Sequence, residues 1–118
     1  MENVEVNSHG TNKAIKAHIL SDDKMREIGF TDCDEKNWYY CKNLSNEISF
    51  NVTIPKDGSD ISIDVLDEDY LQPYDFQYIL EKSPNHPFAV GIKVKVEGCM
   101  RYLQNKGVLS GHEYGEYI

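Results

Sequence analysis

The chain has 118 residues, 40% of them hydrophobic, and carries 20 acidic against 12 basic residues for a net charge of −8. That length suits one domain with a modest core, and the apolar content excludes a broadly disordered chain. The charge excludes a nonspecific nucleic-acid binder, whose affinity would come from Lys and Arg displacing counterions, and favours basic protein surfaces as partners.

Three cysteines, Cys33, Cys41 and Cys99, form no Cys-x-x-Cys pair, and their number is odd. This argues against a disulfide framework and a zinc knuckle, and for reduced thiols. The opening MENVEVNSHG lacks the basic start and apolar core of a secretory signal. No run approaches the ~20 apolar residues of a membrane span. The expected location is cytoplasmic.

In chain order, residues 1–20 read as an N-terminal arm. In it Val4 and Val6 alternate with polar residues, and Ala14 to Leu20 has enough apolar character to dock. Residues 21–118 read as a single compact domain. Ser21 followed by Asp22 and Asp23 is a helix start, because a serine oxygen caps free amides and early acids suit the positive end of the helix dipole. Met25 and Ile28 share a face, and Gly29 is a left-handed stop, so the spacing predicts a helix over roughly Asp22 to Ile28.

Asn37 to Lys42 is an aromatic strand with Trp38 and Tyr40 on one face and Tyr39 and Cys41 on the other. Glu47 to Ile54 alternates cleanly, with Ile48, Phe50, Val52 and Ile54 pointing inward. Pro55 ends this strand, and Asp57-Gly58 supplies turn geometry. Asp60 to Leu66 is a third strand, with Ile61, Ile63 and Val65 inward and Asp60, Ser62 and Asp64 outward. Pro73 is expected in the first turn of the next helix, whose face carries Phe76, Ile79 and Leu80. Phe88 to Lys106 contains both a strand-like alternation and a longer helical one. The helical pattern prevails by length, although Gly91 and Gly98 weaken it. The expected fold is α+β: a three-stranded antiparallel meander with helices packed on one face.

The residues with chemical potential are few. Asp64, Asp67, Glu68, Asp69 and Asp75 form an acid cluster that could be solvated and helix-capping, partner-facing, or a holder of Mg²⁺ or Ca²⁺. The calcium-loop pattern is absent. His112-Glu113 and Cys99 with a distant histidine are the candidates for acid–base or thiol chemistry, against surface-pair and core-packing alternatives. No catalytic motif, cofactor or metal is implied. A nucleotide pocket would need aromatics beside basic groups. Arg26 and Arg101 are the only arginines, which makes them and Tyr102 the ligand contacts if such a pocket exists.

The string LDEDYLQPYDFQYIL, together with the ending YLQNKGVLSGHEYGEYI, resembles small open reading frames of phages and prophages of Gram-positive bacteria, over roughly Met25 to Ile118. The resemblance implies a setting: small phage accessory proteins often inhibit host functions by binding. The expectation is a non-enzymatic anti-defence protein similar to anti-CRISPR inhibitors. Its carboxylates at Asp60, Asp64, Asp67, Glu68 and Asp69 would substitute for DNA phosphates in a basic host nuclease channel. Alternatives are a sponge that sequesters a nucleotide immune signal, a metal-dependent enzyme using the acid cluster, and a structural phage protein.

Overall fold

The computed structural model describes residues 4–5, 14–59 and 61–111. It is a mixed α+β structure with three helices and antiparallel sheets. The larger sheet is built from β3 (Asn37–Asn43), β4 (Ile48–Pro55), β5 (Ser62–Asp67) and β6 (Gln72–Pro73), neighbours in that order. The first three strands follow the alternation of the sequence. Ile48, Phe50, Val52 and Ile54 are all buried, as are Ile63 and Val65 opposite them. The β4–β5 reversal uses Gly58 at φ 84°, while the Asp57 carboxylate accepts the amide of Ser59 at 2.9 Å.

The sheet has four strands where three are expected, and the extra one contains Pro73. Instead of opening a helix, Pro73 pairs with Leu66. A proline is tolerated there because β6 is an edge strand, whose outer side needs no ladder donor. The helix that follows, α2 (Phe76–Lys82), is capped by Asp75, whose carboxylate accepts the amide of Tyr78 at 3.0 Å. The capping acid, not the proline, sets the helix start.

Helix α1 (Asp22–Ile28) begins and ends as its sequence dictates, with Ser21 accepting the Lys24 amide and Gly29 at φ 124° closing it. Helix α3 (Pro87–Asn105) runs for 19 residues through Gly91 and Gly98. Its buried face, including Ile92, Val96, Met100 and Leu103, joins one core with Trp38, Phe50, Met25, Phe30 and Phe76.

A smaller sheet joins the two ends of the described chain. β1 (Val4–Glu5) pairs with β2 (Ala14–Ala17), which pairs with β7 (Leu109–Ser110). Ile15 and Ala17 are buried in the common core, so the later part of the segment read as an arm is built into the fold. Among the described residues, no helix is long and apolar enough to cross a membrane.

Candidate functional site

A groove of about 740 Å³ lies between the edge strand β3 and helix α3, with the end of α1 at one side. Helix α3 contributes Lys95, Gly98, Cys99 and Tyr102, a stripe at three- and four-residue steps along one face. Strand β3 contributes Tyr40 to Asn43, and Leu44 follows it. Ile28 and Gly29 supply the remaining wall.

The walls are tied together by specific bonds. The Tyr102 hydroxyl donates to the Ile28 carbonyl at 2.7 Å, linking α3 to the end of α1. The Lys95 ammonium donates to the Leu44 carbonyl at 2.6 Å, linking α3 to the end of β3. Tyr40 and Tyr102 stack with ring centroids 6.3 Å apart and planes 28° from parallel. Tyr40 also meets Phe30 and Phe50, which fix its ring against the core. Gly29 lets this happen: a Cβ there would sit 3.2 Å from Tyr40 Cε1, on a backbone that already disfavours side chains.

Burial pushes the Tyr40 phenol up to about 12, with help from Cys99, Tyr102 and Cys41. Burial likewise pushes the Cys99 thiol up to about 11, against the opposing pull of the Lys42 ammonium. The Cys41 thiol is raised by burial and by the negative charge of Glu68. Near neutral pH these groups are therefore uncharged. Among the described residues no aspartate or glutamate lines the groove, and the charges there are the ammoniums of Lys42 and Lys95, in a chain whose net charge is −8.

Gly98 is the unusual member. A glycine inside a helix costs about 1 kcal/mol relative to alanine. Its helical backbone does not call for glycine, and a Cβ placed on it meets no heavy atom within 4 Å. Its effect is to leave space in the groove.

The ligand contacts expected from sequence are divided. Tyr102 lines the groove, whereas Arg26 and Arg101 do not. Arg26 lies 5.5 Å over the Trp38 ring and pairs with Asp32 at 3.2 Å. Lys56 approaches the same ring at 4.6 Å and the same carboxylate at 3.2 Å. Asp32 is consequently held below the usual carboxylate range, first by the Lys56 hydrogen bond. Arg101 is exposed on α3. Sequence reading singled out Tyr102 but not Lys42, Lys95 or Tyr40, because these side chains converge only in the fold. The available signal is a glycine within the helical pattern, which Gly98 shares with Gly91, a residue outside the groove.

The acid cluster lies along β5 and the turn after it, and its carboxylates are engaged locally. Ser62 donates to Asp64 at 2.9 Å. Asp67 accepts the amides of Asp69 and Tyr70 at 3.0 and 3.2 Å, closing the turn. Glu68 accepts from the buried Ser49 hydroxyl, which in turn accepts from Asn51 at 2.9 Å. Asp69 is exposed. Asp60 lies outside the described residues, as does the His112-Glu113 pair. Beside these acids, Tyr70 and Leu71 are 75% and 84% exposed. Among the described residues, no three histidine, cysteine or acidic side chains converge as a metal site.

No family model matches the chain, and no curated protein matches it. Among solved structures it is similar to a DUF1831 family protein from Lactobacillus plantarum, with a TM-score of 0.65 and 12% sequence identity. The match covers 92% of this chain and 93% of that one. At that identity the likeness is one of fold, and a shared fold does not carry function with it.

Proposed function

We propose that this chain is a non-enzymatic binding protein that captures an anionic ligand in the groove between β3 and α3. The observation that carries this reading is the inversion of charge: a strongly acidic chain lines its groove with Lys42 and Lys95 and, among the described residues, with no carboxylate. The volume of about 740 Å³ is within the range of small-molecule sites, and the Tyr40–Tyr102 pair offers an aromatic wall beside the ammoniums. The resemblance to phage accessory proteins supports a bacterial defence signal as the ligand, of which a nucleotide is the natural example.

Thermal unfolding with a panel of mononucleotides and cyclic nucleotides tests the reading. A ligand at 100 times its Kd stabilises the fold by about 2.7 kcal/mol. The expected result is a rise in Tm that Lys42→Glu removes. A panel-wide absence of shift refutes a nucleotide as the ligand, and shifts unaffected by Lys42→Glu refute the groove as the site.

A second reading is supported by the exposed Tyr70 and Leu71 beside Glu68 and Asp69. Aromatic and apolar side chains ringed by charge suit a protein interface. The partner would be a basic surface such as a nuclease channel of a host defence system, inhibited through Asp64, Asp67, Glu68 and Asp69. Glu68→Gln with Asp69→Asn should weaken inhibition of such a nuclease while Tm changes little. Undiminished inhibition excludes the acidic face.

A further inference from the structure

The alternation of β3 determines which backbone groups face the groove. In an antiparallel ladder, residues alternate between bonding the neighbouring strand and pointing away from it. Lys36 accepts from Lys56, and Leu44 donates to Ile48, so the even-numbered residues of this stretch face β4. Tyr39 faces the other way: its amide donates to the Thr31 carbonyl and its carbonyl accepts from the Thr31 amide, both at 2.8 Å. By the same alternation Cys41 and Asn43 present their N–H and C=O groups to that free side. Among the described residues those groups have no backbone or side-chain partner. Both residues line the groove, although their side chains belong to the face of the sheet away from the core.

We infer that the groove takes an extended acidic peptide segment of a partner protein, which adds as a strand to the free edge of β3 at Cys41 and Asn43. This rests on the groove being an anion-binding site and specifies its ligand. Main-chain bonds to Cys41 and Asn43 supply sequence-independent affinity, as in other strand-addition sites. The chain itself makes this kind of pairing one step upstream, at Thr31. Alternate side chains of the added strand would point toward α3. There they meet the Lys42 and Lys95 ammoniums and the Tyr40–Tyr102 wall, over the space left by Gly98. Carboxylates at every second position of the peptide are the complement of that surface. Leu44 with Lys95 and Ile28 with Tyr102 bound the groove at its two ends.

The test uses the full chain and four probes: an acetylated, amidated hexapeptide of alternating glutamate and threonine, its lysine–threonine counterpart, the glutamate peptide N-methylated at alternate residues, and adenosine monophosphate. Affinity is measured by calorimetry, and amide exchange at Cys41 and Asn43 by NMR. The expected result is binding of the glutamate peptide, no binding of the lysine peptide, and slowed exchange at both amides. N-methylation should weaken binding about tenfold or more through the lost backbone bonds. If the glutamate peptide binds without protecting Cys41 and Asn43, or if N-methylation has no effect, strand addition is overturned while the anion groove stands. Binding of adenosine monophosphate with none of the peptide has the same meaning. Binding of neither overturns both readings.

Discussion

Replacing Gly98 should make the protein more stable and less able to bind, and the two effects can be separated. In Gly98→Ala the new Cβ meets no heavy atom within 4 Å, so no steric cost opposes the gain in helix propensity. That gain is about 0.8–1.0 kcal/mol in a helix interior. With an unfolding entropy of about 2.1 cal/mol/K per residue over 118 residues, it raises Tm by about 4 °C. Gly98→Leu should retain most of that gain, because leucine is nearly as good a helix former, while its side chain occupies the groove. Ligand affinity should then fall by about tenfold or more, the equivalent of about 1.4 kcal/mol. Gly91→Ala is the control: it lies in the same helix with the same open surroundings, and it does not line the groove. It should raise Tm without changing affinity. Differential scanning calorimetry and titration calorimetry on the three variants read both quantities. A lower Tm for Gly98→Ala would refute the open geometry, and unchanged binding by a stable Gly98→Leu would refute the groove as the site.

The remaining predictions concern groups in and around the core. Alkylation with iodoacetamide at pH 7.5, followed by mass spectrometry, should label the exposed Cys33 well before Cys99, whose buried thiol is pushed up to about 11 and stays protonated. Labelling of Cys99 at the rate of Cys33 would contradict its burial. Tyr102→Phe removes the bond to the Ile28 carbonyl and should cost about 0.5–1.5 kcal/mol in urea unfolding. Asp32 is held below its usual range by Lys56 and Arg26, so its contribution is complete above the unfolded value near 3.8 and is lost as pH falls through the lower folded value. Asp32→Asn should therefore lower stability at pH 7 and flatten its decline below about pH 4; an unchanged acid profile would show that the carboxylate contributes nothing.

The parts of the fold legible in sequence are those specified by local pattern. Alternation at Ile48, Phe50, Val52 and Ile54 specifies a half-buried strand, and Ser21 with Gly29 brackets α1. The helical spacing of Ile92, Val96, Met100 and Leu103 outweighs the strand-like Ile92-Val94-Val96, since Val94 is exposed and the other two are buried. Where two local signals compete, tertiary pairing decides. Pro73 suits a helix start, yet its place beside Leu66 puts it in an edge strand. The small sheet was not legible because β2 and β7 are short and find each other only across the folded core. The groove is invisible in the sequence for a related reason. Lys42 and Lys95 are unremarkable surface residues in sequence, and only the crossing of α3 over the end of β3 makes them neighbours of one cavity. The acid cluster, by contrast, was conspicuous in sequence, and much of its chemistry is spent on capping turns and covering Ser49.

The pairing of β2 with β7 bears on how the protein is made. Ala17 finds its partner Leu109 only after the intervening chain exists, and the Val108 carbonyl accepts the His18 amide at 2.7 Å in the same closure. At about 5–20 residues per second, synthesis separates the emergence of these partners by roughly 5 to 20 seconds. The hairpins joining β3, β4 and β5 need no such delay, because each strand meets the next across a short turn. The nascent chain thus has its central meander available early, while Ile15 and Ala17 wait as exposed apolar residues. Chaperone contact during translation should concentrate on that waiting segment, and it should end when Leu109 clears the ribosome.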